Sequence, residues 1–329
     1  MKFSCDKYVL QQAAASAARA AAPKSPIAAL EGLLLEAGAD LRITGYDLKK
    51  AIYTNMEADI PEPGSVLVGA RLFCEMLRRM PDGIVTVEAE NGTVTVRCGR
   101  SAFNLVGMSA EDYPDLPSVE AENGVSLPQD LLKKMINECS FAVSTNESRP
   151  VYMGTLFEIA HNELTMVSVD GYRLALRREP VEGYGDDCSF IVPGTALSDL
   201  ERLCGDSDER VKMSVGSKHI SFTVGSTVIL SRRLEGDFLN YKKAIPESFR
   251  ITVKTARTDL LDVVERVSLI VDSKNNAPLR LTFRKDAIDF VSARGLVNGM
   301  NAVSYAPNAS TTRAQLWTIL ARQNDADLN

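Results

Sequence analysis

"GTLFEIAHNELTMVSVDGYRLAL" (154–176) carries two apolar, alternating segments and closes on Asp170, Gly171, Tyr172 and Arg173. "GLLLEAGADLRITGYDLKKAI" (32–52) is built the same way: an apolar approach, then Gly45, Tyr46 and Asp47, then a leucine and basic residues. Alternation of period two marks strands. The Asp-Gly-Tyr-Arg run is therefore a strand end inside a unit that the chain states more than once. Further out, "SAEDYPDLP" (109–117) is matched by "LEGDFLNYKKAIP" (234–246), where Tyr113 and Phe238 hold equivalent places about 125 residues apart. Self-similarity at a fixed period is the signature of repeated structural units.

The rest of each unit follows. "IVTVEAENGTVTVRC" (84–98) reads as two strands joined at Asn91-Gly92, a strong hairpin signal. "RVKMSVGSKHISFTV" (210–224) repeats the alternation around a Gly-Ser-Lys turn. Before each hairpin comes a helix. "GARLFCEMLRRM" (69–80) places Leu72, Met76, Leu77 and Met80 on one face, and "GTALSDLERLC" (194–204) does so with Leu197, Leu200 and Cys204. A third copy begins at "TARTDLLDVVERVSLIV" (255–271), with Leu260, Val263, Val264, Val267 and Val271 at helical spacing and Asp262, Glu265 and Arg266 turned outward. It matches "PQDLLKKMINEC" (128–139), where Pro128 is expected at the first helical position. "APLRLTFRKDAIDFVSA" (277–293) supplies two more alternating strands, and after about residue 294 the pattern ends. The expected architecture is α+β, with helices on antiparallel sheets in three repeated domains. These span 1–120, 125–246 and 250–329, the third repeat being incomplete with a tail from about 295 unlike the others. Proline-rich and polar stretches at 113–124 and 244–250 read as the linkers.

Composition narrows the function. A chain of 329 residues is too long for one ordinary core. No apolar run approaches the ~20 residues a membrane helix requires, and Asp6 and Lys7 interrupt the start before a secretory signal could form. The expected setting is the cytoplasm, with no membrane partner. Six scattered cysteines, with no CxxC pair, and two histidines, His161 and His219, do not make a zinc set, so neither metal nor other cofactor is expected. Phosphate-binding, nucleophile-elbow and zincin motifs are absent from the sequence. Asp170 could serve as a base, but no second carboxylate or histidine stands at a useful spacing; a structural turn is the favoured reading and no catalytic residue is assigned. Net charge is −6, which leaves DNA open only through a basic face on an acidic body. The candidate helices and turns do carry such residues, among them Arg19, Lys24, Arg71, Arg78, Lys133 and Arg149. A phosphate-tracking surface would look like this, and so would ordinary solvent faces.

Taken in order, "IAALEGLLLEA", "RPVYMGTLFEI", "VDGYRLAL", "EGDFLNYKKAIP" and "ERVSLIVDSKNNAPLRLTF" resemble the bacterial sliding clamp family, the beta subunit of DNA polymerase III, from residue 1 to about 293. The resemblance implies three clamp domains per chain and a head-to-tail homodimer closed around duplex DNA. Helices would line the hole, and binding would have no sequence preference. Such a ring tethers the polymerase for processivity and catalyses nothing itself. Its implied partners are DNA polymerase III subunits, a clamp loader and other proteins bearing a clamp-binding motif. By position, an apolar pocket for a partner peptide would be walled by Tyr152, Val169, Gly171, Tyr172, Arg173, Leu174 and Pro246. Val169 stands where the family usually has Thr, and Tyr172 where His is common, which makes the pocket more apolar. The implied dimer seam falls on Phe103 and Leu105 of the first domain and Ile270 and Val271 of the third. The family's second helix, further strands and terminal tail have no counterpart after 294. The competing expectation is a monomeric peptide-binding fragment that cannot encircle DNA.

Overall fold

The computed structural model describes residues 1–119, 124–181, 187–246, 248, 255–269, 279–283 and 288–292. The chain forms two compact units, Met1–Phe238 and Leu239–Asn329.

The first repeat runs β1 (Lys2–Asp6), α1 (Lys7–Ala18), β2 (Gly32–Ala37), β3 (Leu41–Tyr46), β4 (Lys50–Met56), β5 (Asp59–Glu62), β6 (Gly64–Gly69), α2 (Ala70–Arg79), β7 (Ile84–Glu90), β8 (Thr93–Cys98) and β9 (Ser101–Met108). Its strands make two antiparallel sheets, β5-β1-β7-β8-β9 and β6-β2-β3-β4, which are joined where Leu67 and Val68 pair with Met108 and Gly107. Helices α1 and α2 pack on each other and on these strands, closing a core that includes Phe3, Leu10, Leu33, Ile43, Phe73 and Val87. Asp6 caps α1 by accepting from the Tyr8 and Val9 amides, at 2.8 and 3.2 Å. Asn91 and Gly92 both take positive φ, 51° and 76°, as a two-residue hairpin turn requires.

The second repeat copies the first. It comprises β10 (Gly124–Pro128), α3 (Gln129–Ser140), β11 (Gly154–Ala160), β12 (Glu163–Val169), β13 (Leu174–Pro180), β14 (Cys188–Pro193), α4 (Gly194–Leu203), β15 (Arg210–Val215), β16 (His219–Val224) and β17 (Thr227–Arg232). Its sheets are β10-β15-β16-β17 and β13-β12-β11-β14. The bridge between Ile191 and Leu234 reproduces the Leu67–Met108 contact. Phe157 and Phe190 stack in its core with ring centroids 5.5 Å apart. Burying each such side chain contributes about 2 kcal/mol.

Two details of the sequence reading change. Leu72 is 61% exposed, and the buried stripe of α2 is Phe73, Met76, Leu77 and Met80 instead. Both sets have helical spacing, and the larger aromatic wins the core. Pro128 ends β10, so α3 starts one residue later than expected, at Gln129.

The repeats are joined edge to edge. β17 pairs antiparallel with β4, from Thr227↔Thr54 to Ser231↔Lys50, so one sheet runs on from the second repeat into the first. Opposed hydroxyls of Thr54 and Thr227 lie 2.9 Å apart. At the other end of this ladder Lys50 forms an ion pair with Asp199 of α4, and both side chains are almost wholly buried.

In the second unit, α5 (Tyr241–Ala244) precedes α6 (Arg257–Ser268), and β18 (Leu279–Phe283) pairs antiparallel with β19 (Ile288–Ser292). On α6, Leu260, Val263 and Val264 are half-buried while Asp262, Glu265 and Arg266 are exposed, as the spacing predicts. Val271 lies outside the described residues.

Candidate DNA and partner interfaces

The turn at 170–173 is held by its aspartate. Asp170 accepts from the amides of Tyr172 (2.9 Å) and Arg173 (3.0 Å), and its other oxygen accepts from Arg173 Nε at 2.8 Å. Asp47 does the same in the first repeat, accepting from Lys49 (2.8 Å) and Lys50 (2.7 Å). Partial burial alone would raise the Asp170 pKa, but these donors and the Arg173 charge outweigh it and hold the carboxyl below its ordinary value. A depressed folded-state pKa means that this stabilisation is present above the unfolded pKa and is lost as pH falls through the folded one. A carboxylate so occupied is a turn-former and not a general base.

Around this turn, six of the seven expected pocket residues collect at one end of the β13-β12-β11-β14 sheet. Val169 is buried at the end of β12, Leu174 is half-buried at the start of β13, and Tyr172 stands 75% exposed between them. Gly171 takes φ +91°, a conformation that side chains resist, and faces open space. Tyr152 precedes β11 at the same end, edge-on to Phe238 with centroids 5.5 Å apart. Arg173 lies over the Phe141 ring at 5.6 Å and Arg149 over the Tyr152 ring at 6.0 Å. The sequence reading did not include Phe141 and Phe238 in this cluster, since nothing in their spacing links them to residue 172. Pro246, the seventh residue, is half-buried in the second unit.

The expected DNA-facing cations divide into two groups. Arg19, Lys24 and Arg71 are exposed. Arg78 pairs with Glu75 at 2.8 Å and Lys133 with Asp206 at 2.7 Å, surface pairs weak enough to exchange for phosphate. Arg149 is exposed too, but it sits with Tyr152 at the turn end of the sheet.

Of the expected seam residues, Phe103 is 44% exposed and Leu105 half-buried on β9, with Val106 82% exposed beside them. Residues 101–106 of β9 pair with β8 on one side and with no strand on the other, among the described residues. Ile270 and Val271 lie outside the described residues. The thiols of Cys5 and Cys139 are pushed up to about 12 by burial, and those of Cys74 and Cys204 to about 11. Such thiols stay protonated and inert. Among the described residues no cluster of His, Cys, Asp or Glu has the makings of a metal site, and no helix is long and apolar enough to cross a membrane.

Paired helices closed between two sheets, repeated and joined through a shared sheet, define the sliding-clamp class of fold. The family signature for the DNA polymerase III beta subunit, N-terminal domain, matches residues 1–117, and that for its central domain matches 126–240. The beta sliding clamp of Bacillus subtilis (strain 168) is 30% identical over 294 residues, covering 86% of this chain and 78% of that protein. That of Staphylococcus epidermidis is 30% identical over 284 residues, covering 83% and 75%. The solved structure of the Bacillus subtilis clamp superposes with a TM-score of 0.85 at 27% identity, over 88% of this chain and 80% of that one. A putative DNA polymerase III beta subunit from Eubacterium rectale gives 0.83 at 27% identity, over the same shares. The chain belongs to the bacterial beta sliding clamp family, the beta subunit of DNA polymerase III. It is a non-catalytic processivity factor of DNA replication.

Proposed function

We propose that this chain closes head to tail with a second copy into a ring around duplex DNA, in the cytoplasm, and tethers the replicative polymerase there. The observation that carries this reading is the β17–β4 junction, which joins one repeat to the next through a continuous sheet. β9 occupies in the first repeat the place of β17 in the second, and its outer edge is free over 101–106 among the described residues. An unpaired apolar edge is a template for another strand. The family resemblance puts the opposing surface of a two-chain ring in the segment containing Ile270 and Val271. Arg19, Lys24 and Arg71 supply exposed cations for phosphates, with Arg78 and Lys133 released from their surface partners. Contacts of this kind carry no base information, so the ring holds any sequence and still slides.

The test is topological. Loaded onto nicked circular DNA by the clamp loader, the protein is expected to co-elute with the circle and to be lost when the circle is cut once. Equal loss from circular and linear DNA would sink the encircling reading.

The turn end of the second repeat is the proposed docking site for a short partner peptide. An exposed Tyr172, an apolar floor at Val169 and Leu174, and an open glycine at 171 suit an apolar side chain on an extended backbone. Tyr172→Ala is expected to weaken binding of a labelled clamp-binding-motif peptide about tenfold, the scale of one lost aromatic anchor, with the melting temperature unchanged. Fluorescence anisotropy reads it, and an unchanged Kd would place the peptide elsewhere.

A further inference from the structure

The β17–β4 ladder has two faces. On the inner one Lys50, opposite Ser231, turns to Asp199. Alternation along the strand assigns Lys49 to the outer face, where it is exposed. The ladder continues there by one contact: the Arg232 amide donates to the Lys49 carbonyl at 2.8 Å, and Arg232 in turn lies opposite His219 of β16. His219, Arg232 and Lys49 therefore form one cross-strand row, two residues from the second repeat and one from the first. Lys218 flanks it, its carbonyl accepting from the Arg233 amide at 3.0 Å. Arg233 is a brace. Its guanidinium donates to the carbonyls of Gly216 (2.9 Å), Ser217 (3.3 Å) and Ser189 (3.1 Å), which holds the turn that carries Lys218.

Two residues further along the same face, Leu230, Ala51 and Tyr46 are buried with Tyr113 and Leu116 of the segment following β9. That cover stops short of the row, and Lys49, Lys218 and Arg232 are exposed. Arg232 pairs with Glu235 at 3.0 Å, a surface pair weak enough to exchange. The Asp47 carboxylate is taken up by the amides of Lys49 and Lys50. The local field is positive: burial first, and then the charges of Arg232 and Lys218, push the His219 pKa below its ordinary value. Beside the row stands Leu48, 48% exposed and at φ +70°. A Cβ makes that conformation costly. The equivalent place in the aspartate-held turn of the second repeat is Gly171, so the turn itself does not require a leucine.

We propose that Leu48, Lys49, Lys218 and Arg232 form a docking surface for an acidic, leucine-bearing segment of a partner protein, with apolar contact on Leu48 and carboxylates on the three cations. The surface straddles both repeats and exists only because they are joined. It is separate from the peptide-binding turn at 170–173 and does not depend on ring closure. Bases of a nucleic acid stack on aromatic rings, and the residue presented here is a leucine, which favours a polypeptide.

The test is fluorescence anisotropy on the full chain with a short fluorescein-labelled peptide of leucines spaced among glutamates. Lys49→Glu combined with Lys218→Glu is expected to weaken its binding at least about tenfold, and added salt to weaken binding by the parent. Leu48→Gly is expected to weaken it about threefold, the scale of a partly buried leucine, without lowering the melting temperature, since glycine accepts the positive φ. Replacing the peptide's leucines by alanine should reproduce that loss. Tyr172→Ala, at the other turn, is expected to leave binding within about twofold, as a contact it does not share. Failure of the parent to bind the peptide overturns the proposal. So does binding that Tyr172→Ala abolishes and the charge reversals leave untouched. Labelled oligothymidine held by the same cations as tightly as the peptide, with no dependence on Leu48, makes this a nucleic-acid surface and overturns the assignment to a protein. Retention on circular DNA tests the clamp reading separately from all of these outcomes.

Discussion

Asp199→Ala is expected to destabilise the Met1–Phe238 unit by about 3–5 kcal/mol, the range for removing one partner of a buried ion pair. The Asp199 side chain is 8% exposed and that of Lys50 is 13% exposed, at the place where the two repeats share a sheet. Cutting back the aspartate leaves the ammonium of a side chain only 13% exposed without its partner. The pair is worth much less than its disruption costs, because burying both charges already consumes most of their attraction. Lys50→Met combined with Asp199→Leu should therefore lose less than Asp199→Ala alone. Urea denaturation of the three variants measures this. A double variant as unstable as the single one would show that packing and not the stranded charge sets the cost.

Gly45→Ala is expected to be at least as damaging, more than about 4 kcal/mol, a size reserved for substitutions with a specific steric or electrostatic cause. A Cβ at Gly45 would lie 2.0 Å from the carbonyl oxygen of Ala17 and 2.8 Å from its carbon. Both atoms belong to the backbone of α1, so no side-chain rotation relieves the clash. The helix would have to leave β3, and with it the packing of Leu10, Ala13, Ala14 and Ala17. Gly92→Ala is the control. Its Cβ meets nothing, so only the positive φ of 76° is penalised, by about 1 kcal/mol. Equal melting temperatures for these two variants would refute the close-approach argument.

Much of this was legible in the chain because the period-two and period-3.6 patterns are strong and occur twice. Asn91-Gly92 fixed a hairpin without help from distant residues, since both positions need positive φ and those residues tolerate it. The repeat alone matches β11–β13 to β2–β4. Periodicity could not choose between Leu72 and Phe73, because adjacent helical registers differ by only about 100° and packing against the sheet decides. Nor could it find Phe141 beneath Arg173, or Phe238 against Tyr152. Those pairs are brought together by the C-terminal end of α3 and the irregular segment following β17, which no local pattern encodes.

The sequence by itself determined the unit, its repetition and the family, since alternation and turn chemistry act within a few residues and recur wherever the same residues recur. Only the tertiary structure decided how the units are joined. Which edge β17 covers, and that Lys50 finds Asp199 149 residues away, depend on strands meeting across the chain. Strand pairing is set by backbone hydrogen bonds that are alike at every residue, so register and partner are specified by the packing of whole faces and not by any single stretch.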